Sequence, residues 1–405
     1  MKDKKIGVCT LRGHVRNYGC ALQAYALHKE FEKLGYHSEI INLEPSKKVK
    51  TDNKIFDLAW FKQYSPTMAL KLTAKRIDQA SRKKAEQIIY KKDLLKFEKH
   101  KQLRHEAFDK FDNEYIPKGS VLYSADKTDA ILAEYDIFVS GSDQVWNPRW
   151  YNEFYRMDFV PDSFPKFSYA ASVSVNSLTD AQKETFKKSL SSYIGVSVRE
   201  EQSVSLLEEL SPVLPVHSLD PTLLLDRSDW DAVASERLVS EPYLFCYYLD
   251  CGKKLRKLAK DYAKKRGLRV VCIPYIMNKF NKYERKYTDE FVDSAAVGEF
   301  VSLIKHADVV FTDSFHASVF SSIYEKEFFV FRRYGFPGMN VRVKTLTDMF
   351  GTEERYCDTD EKETVSYLEK CTPVDYSKQE KYTQLKEKSV AYLAEMLEKS
   401  ERMVK

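Results

Sequence analysis

The chain has 405 residues, of which 43% are hydrophobic and 31% charged, and it carries a net charge of +5. That is the balance of an ordinary globular protein long enough for two or three domains, and so thin a charge gives no reason to expect nucleic acid as a partner. No apolar run reaches the roughly 18 residues that argue for a membrane-spanning helix, and the stretch Ile6–Leu11 is cut short by Arg12 and His14 too soon for a signal-peptide core. Taken in chain order, Lys5–Thr10 reads as a strand. Asn17 can cap a helix running to about Leu34, with Leu22, Tyr25, Leu27, Phe31 and Leu34 apolar and Gly35 as its C′ residue. Ser38–Leu43 is the next strand, and this β-α-β opening implies a parallel sheet with a right-handed crossover.

From about 55 to 112 the pattern is helical and basic. Between Lys62 and Arg104 lysines and arginines outnumber acids thirteen to four. Two readings compete: solvated helices inserted in the domain, or a basic face for anionic lipid head groups or an anionic glycan. Strands are then expected at Ile137–Ser140, Phe167–Ala171 and Ile194–Val198, with a helix at Asp180–Leu190. The Pro-bearing stretch Ser211–Asp226 looks like a passage between halves. Beyond it, strands at Tyr243–Tyr248, Arg269–Ile273, Val309–Thr312 and Phe328–Phe331 alternate with helices at Lys253–Arg266, Val297–His306 and Phe315–Tyr324. An amphipathic helix over about Asp375–Lys399 follows. Alternation of this kind predicts an α/β protein of two Rossmann-like parallel-sheet domains facing a cleft. The boundaries are 1–210, with the helical insert at about 55–112, then 211–374, then a C-terminal helix within 375–405 expected to pack back on the first domain.

Ligands of such sheets bind beyond the C-terminal ends of strands, and four polar segments fall there. In Leu11–Gln23, Asn17 and Gly19 open a helix whose amides attract anions. In Ser140–Asn147, Asp143, Gln144 and Asn147 offer hydrogen-bonding groups and Trp146 a flat face on which a sugar can stack. Arg199, directly after a strand, can grip a carboxylate or phosphate with two parallel bonds, unless it pairs with Glu200 or Glu201. In Thr312–Ser318, Asp313 or Ser314 can cap a helix and His316 lies in its first turn, poised for proton transfer. His306 reads as structural. No histidine spacing suggests a metal, no P-loop or GxGxxG is present, and no cofactor is expected. The seven cysteines form no CxxC pair and fit free thiols in a reducing cytoplasm.

Five strings in this order resemble the polysaccharide pyruvyl transferases: Asn17–Leu27, Gly141–Pro148, Val198–Glu200 with Ser203, Asp220–Leu225 and Thr312–Ser321. The resemblance covers roughly Lys4 to Phe350. It implies a fold like the B-type glycosyltransferases, phosphoenolpyruvate as donor, and a cytoplasmic enzyme that forms a pyruvate ketal on a sugar of a surface polysaccharide or cell-wall glycan, free or lipid-linked. It places the family's donor-binding arginine on Arg199 and its key histidine on His316. Donor contacts then fall to Arg199, Ser314, Phe315, His316 and Arg342, and acceptor contacts to Asn17, Gln23, Gln144, Trp146 and Asn147, with Asp143 orienting or deprotonating an acceptor hydroxyl. Some members carry an arginine where this chain has Ser314. The second cation must therefore come from elsewhere: Arg342 is the nominee, Arg332 and Arg333 the alternatives.

Two rivals share the two-lobed architecture, since fold does not fix function. A sugar-nucleotide glycosyltransferase would need an acid for the ribose, and Glu325 and Glu327 lie near a plausible place. A non-catalytic relative would bind glycan without turnover.

Overall fold

The computed structural model describes residues 3–11, 16–43, 89, 91–124, 127–148, 153–249, 252–274, 282–333, 337–377 and 379–404. Most of the expected basic insert, including 55–88, lies outside these residues. Its last part is a single helix, Lys91–Tyr115, which continues to the next strand.

Among the described residues a first parallel sheet has the order β3-β2-β1-β4-β5, built from Lys5–Cys9 (β1), His37–Leu43 (β2), Lys118–Tyr123 (β3), Ile137–Ser140 (β4) and Lys166–Ser168 (β5). The short pair Ser197–Val198 (β6) and Val216–His217 (β7) extends it through isolated bridges at Phe167–Gly195 and Ala171–Val198. A second parallel sheet has the order β10-β9-β8-β11-β12-β13, from Tyr243–Tyr247 (β8), Arg269–Cys272 (β9), Glu290–Phe291 (β10), Val309–Thr312 (β11), Glu327–Phe331 (β12) and Tyr356–Cys357 (β13). In each sheet the order of connection reverses once, between the parallel neighbours β1 and β4 and between β8 and β11. Those are the switch points where open α/β sheets leave a crevice.

The longer helices are α1 (Tyr18–Lys33), α2 (Lys91–Tyr115), α3 (Asp180–Leu190), α4 (Lys253–Arg266), α5 (Val297–Lys305), α6 (Phe315–Ile323), α7 (Pro337–Met349) and α8 (Glu380–Met403). Local chemistry explains their ends. Asn17 caps α1 by accepting from Gly19 N, and the helix is followed by Gly35 at φ +87, a conformation glycine adopts without cost. Thr179 and Gln182 form a reciprocal capping box on α3. Gly267, in the left-handed region at φ +67, terminates α4.

The halves are joined by core rather than by a linker alone. Tyr18 of α1 stacks on Phe300 of α5 at 4.4 Å and 7°, and its hydroxyl donates to Ala295 O at 2.8 Å. Buried Arg104 of α2 donates to Pro274 O at 2.5 Å and to Asp293 O, both in the second half. Helix α8 runs from Phe350, on which Tyr382 stacks, to the first sheet, where Tyr392 donates to Ser168 O at 2.9 Å and Tyr36 to Glu401 at 2.8 Å.

Candidate active site

The two switch points face each other, and the turns that leave them meet. The first half brings the α1 N-terminus after β1, the Ser140–Asn147 turn after β4, and Arg199 after β6. The second brings the α6 N-terminus after β11. Ser314 accepts from Ala317 N and so caps α6, while Asp313 accepts from Leu249 N at 2.6 Å and ties that turn to the end of β8. Capping thus falls to Ser314, with Asp313 bracing the turn.

Arg199 is 4% exposed. Its Nη1 donates to Asp220 Oδ2 at 2.6 Å and its Nη2 to Asp143 Oδ1 at 3.4 Å, while Glu200 stands farther off at 3.8 Å. Glu200 is instead held by Ser172, by Val173 N and by Ser203. Burial opposes the charge on Arg199, but Asp220 and Asp143 outweigh it and raise its pKa. Burial likewise opposes the Asp143 carboxylate, yet Arg199, His316 and Arg342 hold it below the usual range. Asp220 is held far below that range: His316, Arg199 and Thr222 more than offset its burial.

Asp143 has φ +67 and ψ −168, a region that glycine alone enters freely. The turn fixes it there: its carbonyl accepts from Val145 N at 2.8 Å and from Ser172 N at 2.9 Å. Its carboxylate also accepts from the buried Cys20 thiol at 3.1 Å.

His316 lies flush on Gly19, where a Cβ would fall 2.0 Å from Nδ1. Its Nε2 is 3.5 Å from Asp220 Oδ2. The Phe315 ring sits under two guanidinium groups, Arg199 at 4.9 Å and Arg342 at 5.5 Å from its centre. Arg342 is 6% exposed, its Nε has no hydrogen-bond partner among the described residues, and its Nη1 is 3.9 Å from Asp143. Burial first, then Arg199, pushes its pKa down to about 10. Arg199, Asp220, Phe315 and Arg342, with Leu223 and Met349, line a tight pocket of ≈ 310 Å³ including its mouth. A larger hollow beside Arg156, Lys166 and Glu184 lies at the opposite, N-terminal edge of β5 and shares none of these residues.

Asp143, Arg199, Ser314, Phe315, His316 and Arg342 therefore converge. Other expectations need correction. Trp146 is 2% exposed and packs against Phe186 and Tyr193, so its faces are closed to a sugar. Gln23 is fully buried and donates to Thr10 Oγ1 and Cys20 O, bracing the β1–α1 turn rather than meeting an acceptor. Asn147 donates to Gln144 at 3.1 Å. Asn17 caps α1, as its place before the helix predicts. Arg332 is occupied by Asp358 O, Asp360 and Glu363, and Arg333 pairs through its backbone with Asn340. Arg342, the nominee, stands on α7, the helix that follows β12. Glu327 opens β12 and pairs with Arg355 at 2.9 Å, at the wrong end of its strand to hold a ribose in the crevice. Sequence reasoning assigned no role to Asp220, although its Asp-Pro-Thr string was in view, nor to His217, whose Nε2 is 3.1 Å from Arg199 O.

Comparisons with known proteins follow the same lines. Over 96% of this chain and 99% of the other, the structure is similar to the UDP-GlcNAc 2-epimerase of Methanocaldococcus jannaschii, with a TM-score of 0.53 at 10% identity. A putative UDP-N-acetylglucosamine 2-epimerase from Listeria monocytogenes covers 95% of each chain at 10% identity and a TM-score of 0.49. The likeness to the Methanocaldococcus jannaschii structure speaks to fold alone: two Rossmann-like parallel-sheet halves in the B-type glycosyltransferase arrangement. A search of curated proteins returns no match. The family model for polysaccharide pyruvyl transferase matches residues 17–333, from the cap of α1 to just past β12, and so takes in Asp143, Arg199, Asp220 and His316. By that match the chain belongs to the polysaccharide pyruvyl transferase family.

Proposed function

We propose that the protein transfers the pyruvyl group of phosphoenolpyruvate to two hydroxyls of one sugar in a surface or cell-wall glycan, forming a ketal and releasing phosphate. The observation that supports this most is Arg342, a buried cation whose nearest carboxylate, Asp143, stands 3.9 Å off and whose Nε has no hydrogen-bond partner among the described residues, lining the pocket beside Arg199 and the α6 N-terminus. Burying a charge is costly unless it is paired, and a small dianion completes the pairing. The first-turn amides of Phe315 and His316, which helix geometry leaves without intrahelical partners, add donors for a phosphate or carboxylate.

In the balanced reaction His316 delivers a proton to C3 of the enol, a sugar hydroxyl attacks C2, and the C2–O bond to phosphate breaks. A second hydroxyl then closes the ketal. The two hydroxyl protons go to the spent imidazole and to the departing phosphate. A positioned acid of this kind contributes roughly 10²–10⁴-fold. Asp143, held ionised by two arginines, is a weak base, so its part is to orient the acceptor hydroxyl. No helix among the described residues is long and apolar enough to cross a membrane. The exposed Lys91, Lys92, Lys96 and Lys99 of α2 suit a cytoplasmic enzyme meeting a lipid-linked acceptor at an anionic surface.

Melting temperature is measured against phosphoenolpyruvate and against several sugar nucleotides. A rise with phosphoenolpyruvate that disappears in Arg342→Ala is expected. A rise with a sugar nucleotide alone would sink the proposal in favour of glycosyl transfer.

A further inference from the structure

Asp220 lies between the halves, in the segment that joins β7 to the second sheet, and none of its side chain is exposed. Its two oxygens do different work. Oδ1 accepts from Thr222 N at 3.1 Å and from Thr222 Oγ1 at 2.7 Å, which locks the carboxylate plane to the local turn. Oδ2 accepts from Arg199 Nη1 at 2.6 Å and faces His316 Nε2 at 3.5 Å, with Ser142 Oγ also at 3.5 Å. One buried carboxylate therefore bonds a cation carried by the first half and stands at ion-pair distance from a histidine carried by the second, whose Nε2 has no hydrogen-bond partner among the described residues.

We propose that Asp220 is a positioning residue, a fixed carboxylate that sets the ring orientation and tautomer of His316 while anchoring Arg199. This rests on the reading of His316 as the proton donor given above. The nitrogen that carries the proton in a neutral imidazole is set by the partner of the other nitrogen. A carboxylate facing Nε2 keeps hydrogen there and assigns Nδ1, on the Gly19 side, to exchange with substrate. Glycine at position 19 is what lets the ring lie this close to α1, since a Cβ would lie 2.0 Å from Nδ1. Asparagine cannot replace Asp220. Its amide has one acceptor oxygen, whereas Thr222 N and Arg199 Nη1 both donate, so one of them would face the NH₂ group.

The test is NMR of protein labelled with ¹⁵N in its eight histidines, with the His316 ring signals identified by their loss in His316→Ala. In the wild type the Nε2–H pattern is expected for His316. In Asp220→Asn those signals should shift or broaden into a mixture of tautomers, while those of His28, held by Ser38 and Glu32, and of His37, beside Glu39, stay in place. Should Asp220→Asn fail to fold, Thr222→Val carries the test, because it removes the 2.7 Å bond to Oδ1, leaves only the one from the backbone N–H, and so loosens the carboxylate. Unchanged His316 signals in a folded variant would overturn the proposal, as would an Nδ1–H pattern in the wild type. Phosphoenolpyruvate is added to the same wild-type sample. If it moves no signal, the donor assignment fails, while the Asp220 result still decides the positioning role.

Discussion

Arg199 leaves β6 into a nest of carboxylates, whereas Arg342 stands on α7 with its nearest carboxylate at 3.9 Å. Both guanidinium groups are buried and both lie over the Phe315 ring, yet burial and neighbours raise the pKa of one and lower that of the other. The first half has already neutralised its cation, and the second half has kept its own available. Identity and exposure do not separate a keystone from a receptor here; the distance to the counter-charge does.

The most damaging way to probe the contrast is Arg199→Ala. It would strand Asp220 and Asp143 in a buried site, and breaking such a pair costs about 3–5 kcal/mol. A large fall in melting temperature is expected together with the loss of activity. Acid should act on the same network. Both carboxyls have folded pKa values below their unfolded ones, so the stability they contribute is present above about pH 4 and is lost as pH falls through the folded values. Melting followed from pH 7 to pH 2 should fall below pH 4 in the wild type and more shallowly in the variant. Equal slopes would show that the network is not what acid breaks.

Arg342→Ala should do the reverse: an unchanged or higher melting temperature without ligand, and donor affinity weakened by about 10-fold to 10²-fold, the worth of a hydrogen bond to a charged group. Calorimetric titration with phosphoenolpyruvate reads this directly. A destabilised variant with normal affinity would place Arg342 among the keystones. The smallest effect isolates backbone strain. Asp143→Gly and Asp143→Ala both lose the carboxylate, but only alanine must still hold φ +67. The glycine variant should be more stable by about 1–3 kcal/mol in urea unfolding, and equality would mean that the turn relaxes.

Much of this was legible in the chain. Asn17 capping α1, Gly35 ending it, and strands placed just before Asp143, Arg199 and His316 all follow from local pattern, because caps and periodicity act over a few residues. Trp146 was misread because local polarity cannot tell which side of a turn faces the core, and Phe186 and Tyr193 lie forty or more residues away. Arg342 is reached only through the resemblance, because nothing local shows that a helix carries it to Asp143 and the Phe315 ring. Asp220 has no local signature because its partners stand 21 and 96 residues away along the chain. Only the packing of two separate sheets brings them together.

Helix α8 has a consequence for the order of events during synthesis. Tyr392, Leu393, Met396 and Leu397 belong to the same apolar cluster as Phe167 and Tyr169, and Met396 and Tyr392 cover Gly195. The earlier sheet thus borrows part of its interior from a segment translated after both sheets. While the ribosome is still at work, that flank stays open, and the N-terminal-first folding usual for domains is held incomplete until the last turns of α8 have emerged.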